Sequence, residues 1–285
     1  FARNGGSSLE SVWLEEASAM LASELYGREV NGYTRHGETD YRSSLYCELR
    51  PDDPGCAGRP LVMLDTFAWL FDYLYSMPAR TPLGPAVQGD ASFYGSGWAL
   101  LRWVIDHHGH DESAFLSALT QEPRLRGLAN LLARAGIGRE ELIGGWTLSL
   151  GLAGATGAVK GGRSAPSWDF LDIFAGLHQE LPHYFVEADP RRIQRLEMGD
   201  FAADVQLLIG GSGALFEVAG RPGGGQILEV THTSGAMASN IVRVAIARPY
   251  SSKAPKRTQK LRKERVVPTI RAYRFVDHNC GTVST

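Results

Sequence analysis

Apolar residues recur at helical spacing from Leu9 to about Leu152, in blocks cut by Gly and Pro, and beyond that point the period changes. A chain written this way has to divide its core between packed helices and something else. The helical blocks are Leu9 to Leu25, Leu61 to Tyr75, Gly97 to His107, Glu112 to Thr120, Arg124 to Ala135 and Arg139 to Leu150. Asp111 before Glu112 reads as an N-cap and Gly136 after Ala135 as a helix stop. Tyr26 to Pro60 is polar and turn-rich, the pattern of a long surface loop. Gly151 to Ser167 is rich in Gly, Ala and Ser and reads as a linker. After it, Phe201 to Ile209, Ala214 to Ala219, Gln226 to Thr233 and Asn240 to Arg248 are short runs rich in Val, Ile and Leu, separated by Gly-containing breaks. Val242, Val244 and Ile246 share one face of a strand, as do Phe216 and Val218, which is the alternation of a half-buried sheet. The expected fold class is therefore α+β: a mainly helical lobe over 1–150, a linker over 151–167, a small antiparallel β-sandwich over 168–250 and a disordered basic tail over 251–285.

Composition narrows the partners. With 44% hydrophobic and 21% charged residues the chain has an ordinary soluble make-up and enough apolar material for a packed core. Its net charge of −2 conceals a skew, because nine of the 29 Lys and Arg fall in the last 35 residues. The remainder is mildly acidic, which argues against nucleic acid as the main partner. No run of 18 apolar residues occurs, so no membrane span is expected. The chain starts at Phe1, ahead of a polar segment with no apolar leader, and reads as a fragment or a processed form. Cys47 and Cys56 have eight residues between them, centred on Pro-Asp-Asp-Pro-Gly, a turn that could bring their Cβ atoms within disulfide reach. A disulfide there points to an oxidising, extracytoplasmic compartment; the alternative is two separate thiols. Cys280 has no obvious partner.

The stretch Trp13-Leu14-Glu15-Glu16-Ala17-Ser18-Ala19 opens a helix whose stripe of Trp13, Ala17, Met20, Leu21 and Leu25 must face a core. At 100° per residue Glu15 points away from the stripe and Glu16 lies at its edge. Only Glu16 could then face a cleft beside the core, where an ionised carboxylate needs a cation, a hydrogen-bond donor or water. Glu24 falls inside the stripe and also wants a partner. A solvated Glu pair, favoured by the helix dipole, is the plainer reading of Glu15 and Glu16.

Two motifs favour the sharper one. The helix bearing Glu16 resembles the Trp-Leu-Asn-Glu-Gly-x-Ala helix of gluzincin zinc metallopeptidases, in which the Glu is the third zinc ligand downstream of HExxH. Glu15 stands where that pattern has Asn, and Ala17 where it has Gly. Further on, Phe93-Tyr94-Gly95-Ser96-Gly97-Trp98 is similar to the Tyr-bearing segment of gluzincin aminopeptidases and of hyicolysin-like secreted peptidases. The resemblance implies that Glu16 binds zinc and that Tyr94 donates a hydrogen bond to the oxyanion formed on a peptide carbonyl. It implies Glu24 as a supporting group behind the metal ligand, one zinc ion as cofactor and a peptide or protein as substrate.

No His in the chain opens HExxH, so the zinc site is incomplete here, and the missing helix is expected upstream of Phe1. His178 and His183 are five apart with Pro182 between them, which prevents one helix from aligning both. Asp106-His107-His108-Gly109-His110-Asp111-Glu112 reads as a helix stop and a new N-cap rather than a metal site. The block from Trp168 to His178, with the strand-like runs after it, is similar to the accessory β-domains of secreted bacterial peptidases, which implies attachment to a cell surface. The expectation from sequence is a truncated, secreted zinc metallopeptidase, inactive as this fragment. Its alternative is a non-catalytic surface or adhesion protein that keeps a peptidase-like scaffold.

Overall fold

The computed structural model describes residues 10–34, 37–56, 62–121, 124–153, 167–196 and 209–218. Helices dominate them: α1 (Val12–Val30), α2 (Tyr46–Leu49), α3 (Leu64–Tyr75), α4 (Ser92–His108), α5 (Glu112–Gln121), α6 (Gly127–Ala135), α7 (Arg139–Leu152) and α8 (Phe170–Glu180). Two three-residue strands, β1 (Gln194–Leu196) and β2 (Phe216–Val218), pair in parallel. Among the described residues no helix is long and apolar enough to cross a membrane.

The helix ends follow local chemistry. Asp111 Oδ1 accepts the Ala114 N–H at the start of α5, and Gly136 takes the left-handed conformation at φ 67° after α6, both as the sequence indicates. Asp169 caps α8 through the Asp172 N–H, and Asp90, held by Arg80 at 2.8 Å, accepts from Ser92 at the start of α4. Glu48 Oε2 accepts the Met63 and Leu64 N–H groups at the start of α3. Burial raises the Glu48 carboxyl above its ordinary range, against the pull of those two N–H groups. Cys47 and Cys56 form a disulfide beside it, with Cα atoms 5.0 Å apart.

The axis of the molecule is α4, buried on nearly every side from Ser92 to Ile105. Gly95 lets α3 come close, and Gly97 lies against α1 at ordinary contact distance. A Cβ on Gly95 would stand 2.4 Å from the Thr66 carbonyl oxygen and the Leu70 nitrogen of α3, and one on Gly97 would stand 3.5 Å from the Ala17 Cβ of α1. The Phe67 ring, from α3, sits at the centre of the core, edge-on to Trp98, Trp168 and Phe174 at centroid distances of 5.3, 5.2 and 6.1 Å.

The expected α+β division with an antiparallel β-sandwich after residue 168 is overturned. Trp168 is buried and followed by a helix whose Phe170, Ile173, Phe174 and Leu177 repeat at helical spacing, and these side chains join the same core as α1, α3, α4 and α7. Thr39 and Trp168 form a bridge, and Phe185 closes over the core beyond α8. Of the runs expected to form the sandwich, 214–218 is described; it pairs in parallel with 194–196, which needs the chain to cross over between them. The other runs, 201–208, 226–233 and 240–248, lie outside the described residues, as do most of the expected linker and the whole tail over 251–285. The β1–β2 region is tied to the helices by Arg191, whose Nη1 donates to the Leu150 and Ala153 carbonyls at the end of α7, and by the Ile209 N–H to Pro78 bond.

Gly95→Ala tests the α3–α4 contact. Alanine gains about 1 kcal/mol of helix propensity, but the methyl meets backbone atoms that cannot swing aside. Urea unfolding is expected to show a net loss of about 1–3 kcal/mol for Gly95→Ala. Gly210→Ala, where a Cβ would meet open space, should stay within about 0.5 kcal/mol. Equal midpoints for the two variants would show that the helices do not pack through Gly95.

Candidate metal and oxyanion site

Glu16 and Tyr94 stand on two helices in contact. Glu16 precedes Ala17, the residue that abuts Gly97, and Tyr94 lies three residues before Gly97 in the first turn of α4. Met20, one turn after Glu16, takes a 3.5 Å contact from the Thr66 hydroxyl of α3, the residue whose carbonyl faces Gly95. The Tyr94 ring stacks on Phe93 at 4.2 Å and leans on Trp69 of α3 at 5.1 Å. Both Glu16 and Tyr94 are partly exposed, and among the described residues no hydrogen bond or ion pair takes up either polar group. A phenol braced by two rings and a carboxylate at the open edge of a helix are both free to meet a ligand.

Glu24 is not brought to them. It lies two turns further along α1, fully buried, with Oε1 accepting from Arg28 Nε at 2.8 Å and Trp168 Nε1 at 2.9 Å, and Oε2 accepting from Trp98 Nε1 at 2.7 Å. Those donors occupy the carboxylate, so it serves the core rather than a metal ligand. Arg102 extends the cluster: its guanidinium pairs with Asp106 at 2.8 Å and Glu112 at 2.6 Å and lies 4.0 Å from Glu24. Burial alone would lower the Arg102 pKa, and the three carboxylates outweigh it, holding the group above its ordinary value. Ser167 Oγ donates to Asp106 at 2.7 Å, and the Ser167 carbonyl accepts from Arg28 Nη2 at 2.9 Å.

Sequence reasoning missed this cluster. The available signal was a pair of acid–base couples at i,i+4, Glu24 with Arg28 and Arg102 with Asp106, set inside otherwise apolar helical stripes. The His-rich turn is as expected at its ends, with α4 stopping at His108 and Asp111 capping α5. Of its three acids, Asp106 and Glu112 are committed to Arg102 and Asp111 to the α5 cap, and burial lowers the His108 pKa. His178 donates from Nδ1 to the Phe185 carbonyl, while His183 is exposed in the turn beyond α8.

Among the described residues no group of three His, Cys, Asp or Glu could hold a metal ion. A catalytic zinc takes three protein ligands, so Glu16 by itself does not fit one, and no reaction step can be drawn through a metal from these residues.

Glu24→Gln should cost about 3–5 kcal/mol in denaturant unfolding, because it removes the charge opposite a buried guanidinium and turns an amide N–H₂ towards donors. Glu16→Gln should change stability by no more than about 0.5 kcal/mol. A Glu24→Gln protein as stable as the parent would show that the carboxylate is not the group that holds this core together.

Comparison of the chain with protein-family models, with curated proteins and with solved structures returns no match.

Proposed function

We propose that the chain supplies the helical side of a peptidase site, with Glu16 as a metal-ligand carboxylate and Tyr94 as the donor to the oxygen of a peptide carbonyl. The observation that carries this reading is the contact of α1 with α4 at Ala17 and Gly97, which sets the two residues on adjoining helices with both polar groups uncommitted among the described residues. A phenol held by Phe93 and Trp69 needs little rearrangement as charge develops on a substrate oxygen. The reading requires two further ligands, and none completes a site with Glu16 among the described residues. The substrate is a peptide or protein, and an extracytoplasmic setting agrees with the Cys47–Cys56 disulfide.

The test is a protein extended upstream of Phe1 to include any HExxH, assayed for zinc content and peptide hydrolysis. Glu16→Ala is expected to lose bound zinc and activity together. Tyr94→Phe is expected to keep the zinc and lower kcat about 10²-fold or more, the cost of removing one oxyanion donor. If the extended protein holds no zinc and neither substitution alters turnover, the helices serve as the scaffold of a non-catalytic surface protein.

A further inference from the structure

The disulfide lies next to a helix cap. Cys47 is in α2, a helix of four residues, and Cys56 ends the turn Pro54–Cys56. Between them Tyr46 donates to Asp53 Oδ2 at 2.7 Å, and Asp53 Oδ1 accepts from the Gly55 N–H at 2.8 Å, so the turn is drawn onto α2 by the bond and by these contacts. Glu48, the next residue after Cys47, accepts the N–H groups of Met63 and Leu64 at 2.9 and 3.0 Å. The first N–H groups of a helix have no partner within it, and a carboxylate there also meets the positive end of the helix dipole. Both cysteines line an open cleft of about 350 Å³, with Tyr33, Asp40, Arg42 and Tyr46 around it, wide enough to admit a small thiol. From its first turn onward α3 carries Thr66 and Leu70 against Gly95, and Trp69 against Tyr94.

We propose that the Cys47–Cys56 disulfide is a redox-sensitive clasp on the start of α3, acting through Glu48. With the bond closed, α2 is held in place and Glu48 caps α3. A dithiol reductant opens it: one thiolate attacks a sulfur of the bond, and the second displaces the mixed disulfide. Two electrons and two protons then reside on Cys47 and Cys56, and the reductant has become a cyclic disulfide. Freed from the turn, α2 shifts, the Glu48 cap is lost and the first turn of α3 frays. This inference goes beyond the peptidase reading and does not depend on it, since it concerns the order of α3 whatever Tyr94 does.

Amide hydrogen exchange on the whole chain, with and without dithiothreitol, tests the clasp in the native protein and in Glu48→Ala. Reduction of the native protein is expected to speed exchange at Met63 and Leu64 about tenfold, the loss of one helix cap, with Leu100, Leu101 and Val104 of α4 unchanged. Glu48→Ala with the bond intact should show the same rise at the same two amides, and reduction should then add nothing. The clasp is overturned if reduction leaves Met63 and Leu64 protected, or if it adds the same increment in both proteins. A loss of protection shared by the α4 amides also overturns it, because the bond would then hold the whole fold rather than one helix end.

Discussion

The buried carboxylate of Glu24 is the group around which the described segments are arranged. Removing a carboxylate from water costs several kcal/mol even after relaxation, and here the compensation comes from three places in the chain. Arg28 lies one turn on in the same helix, Trp98 is on α4, and Trp168 begins the segment that leads into α8. Arg28 in turn needs acceptors, and it finds the carbonyls of Thr34, Gly37 and Ser167 and the hydroxyl of Thr39. Its guanidinium also lies over the Trp168 ring at 4.6 Å. Neither charge is satisfied until the loop after α1 and the residues before α8 are in place. The polar centre therefore selects one arrangement of segments that apolar contacts alone would leave loosely specified.

A second constraint comes from backbone approach along α4. Gly95 faces α3 and Gly97 faces α1, so two helices close on a third from different sides within one turn. Ser96 between them is fully buried and returns its hydroxyl to the Ser92 carbonyl, so it brings no unpaired polar group into the contact. The segment that carries Tyr94 thus has a structural duty of its own. Gly95 sets how closely α3 approaches α4, and Trp69 of α3 meets the neighbouring Tyr94 ring.

Much of the helical part was legible because each helix carries its own period and its own stop signals. Asp111 and Gly136 announce their roles through local chemistry that does not depend on the rest of the fold. The disulfide was legible for the same reason, since its two cysteines flank a turn. What escaped was long-range. The segment from Trp168 to Phe185 has a helical apolar stripe, but nothing local states which core will receive it, and the Gly-rich stretch before it invited a domain boundary. Its true partners, Glu24, Thr39 and Phe67, lie more than a hundred residues earlier. Glu24 itself was recognised as needing a partner, but the partners were two indole N–H groups and a guanidinium rather than a metal ligand.

The two ends of α1 have separate duties, and this bears on how the candidate site can be read. Its second half is fixed by Glu24 and Arg28, charges that cannot move without being left unpaired in the core. Glu16 lies two turns nearer the start, about 12 Å along the axis at ~1.5 Å per residue, where Ala17 rests against Gly97 of α4. A helix anchored at one end by buried charge and packed at the other against α4 holds the direction of a partly exposed side chain while leaving its carboxylate uncommitted. A ligand-binding acid needs that combination, since a carboxylate consumed by the core cannot bind and one on a loose helix cannot be aimed. On α1 Glu16 meets both conditions and Glu24 meets only the second, so the chemistry proposed for this chain is assigned to the acid that the core can spare.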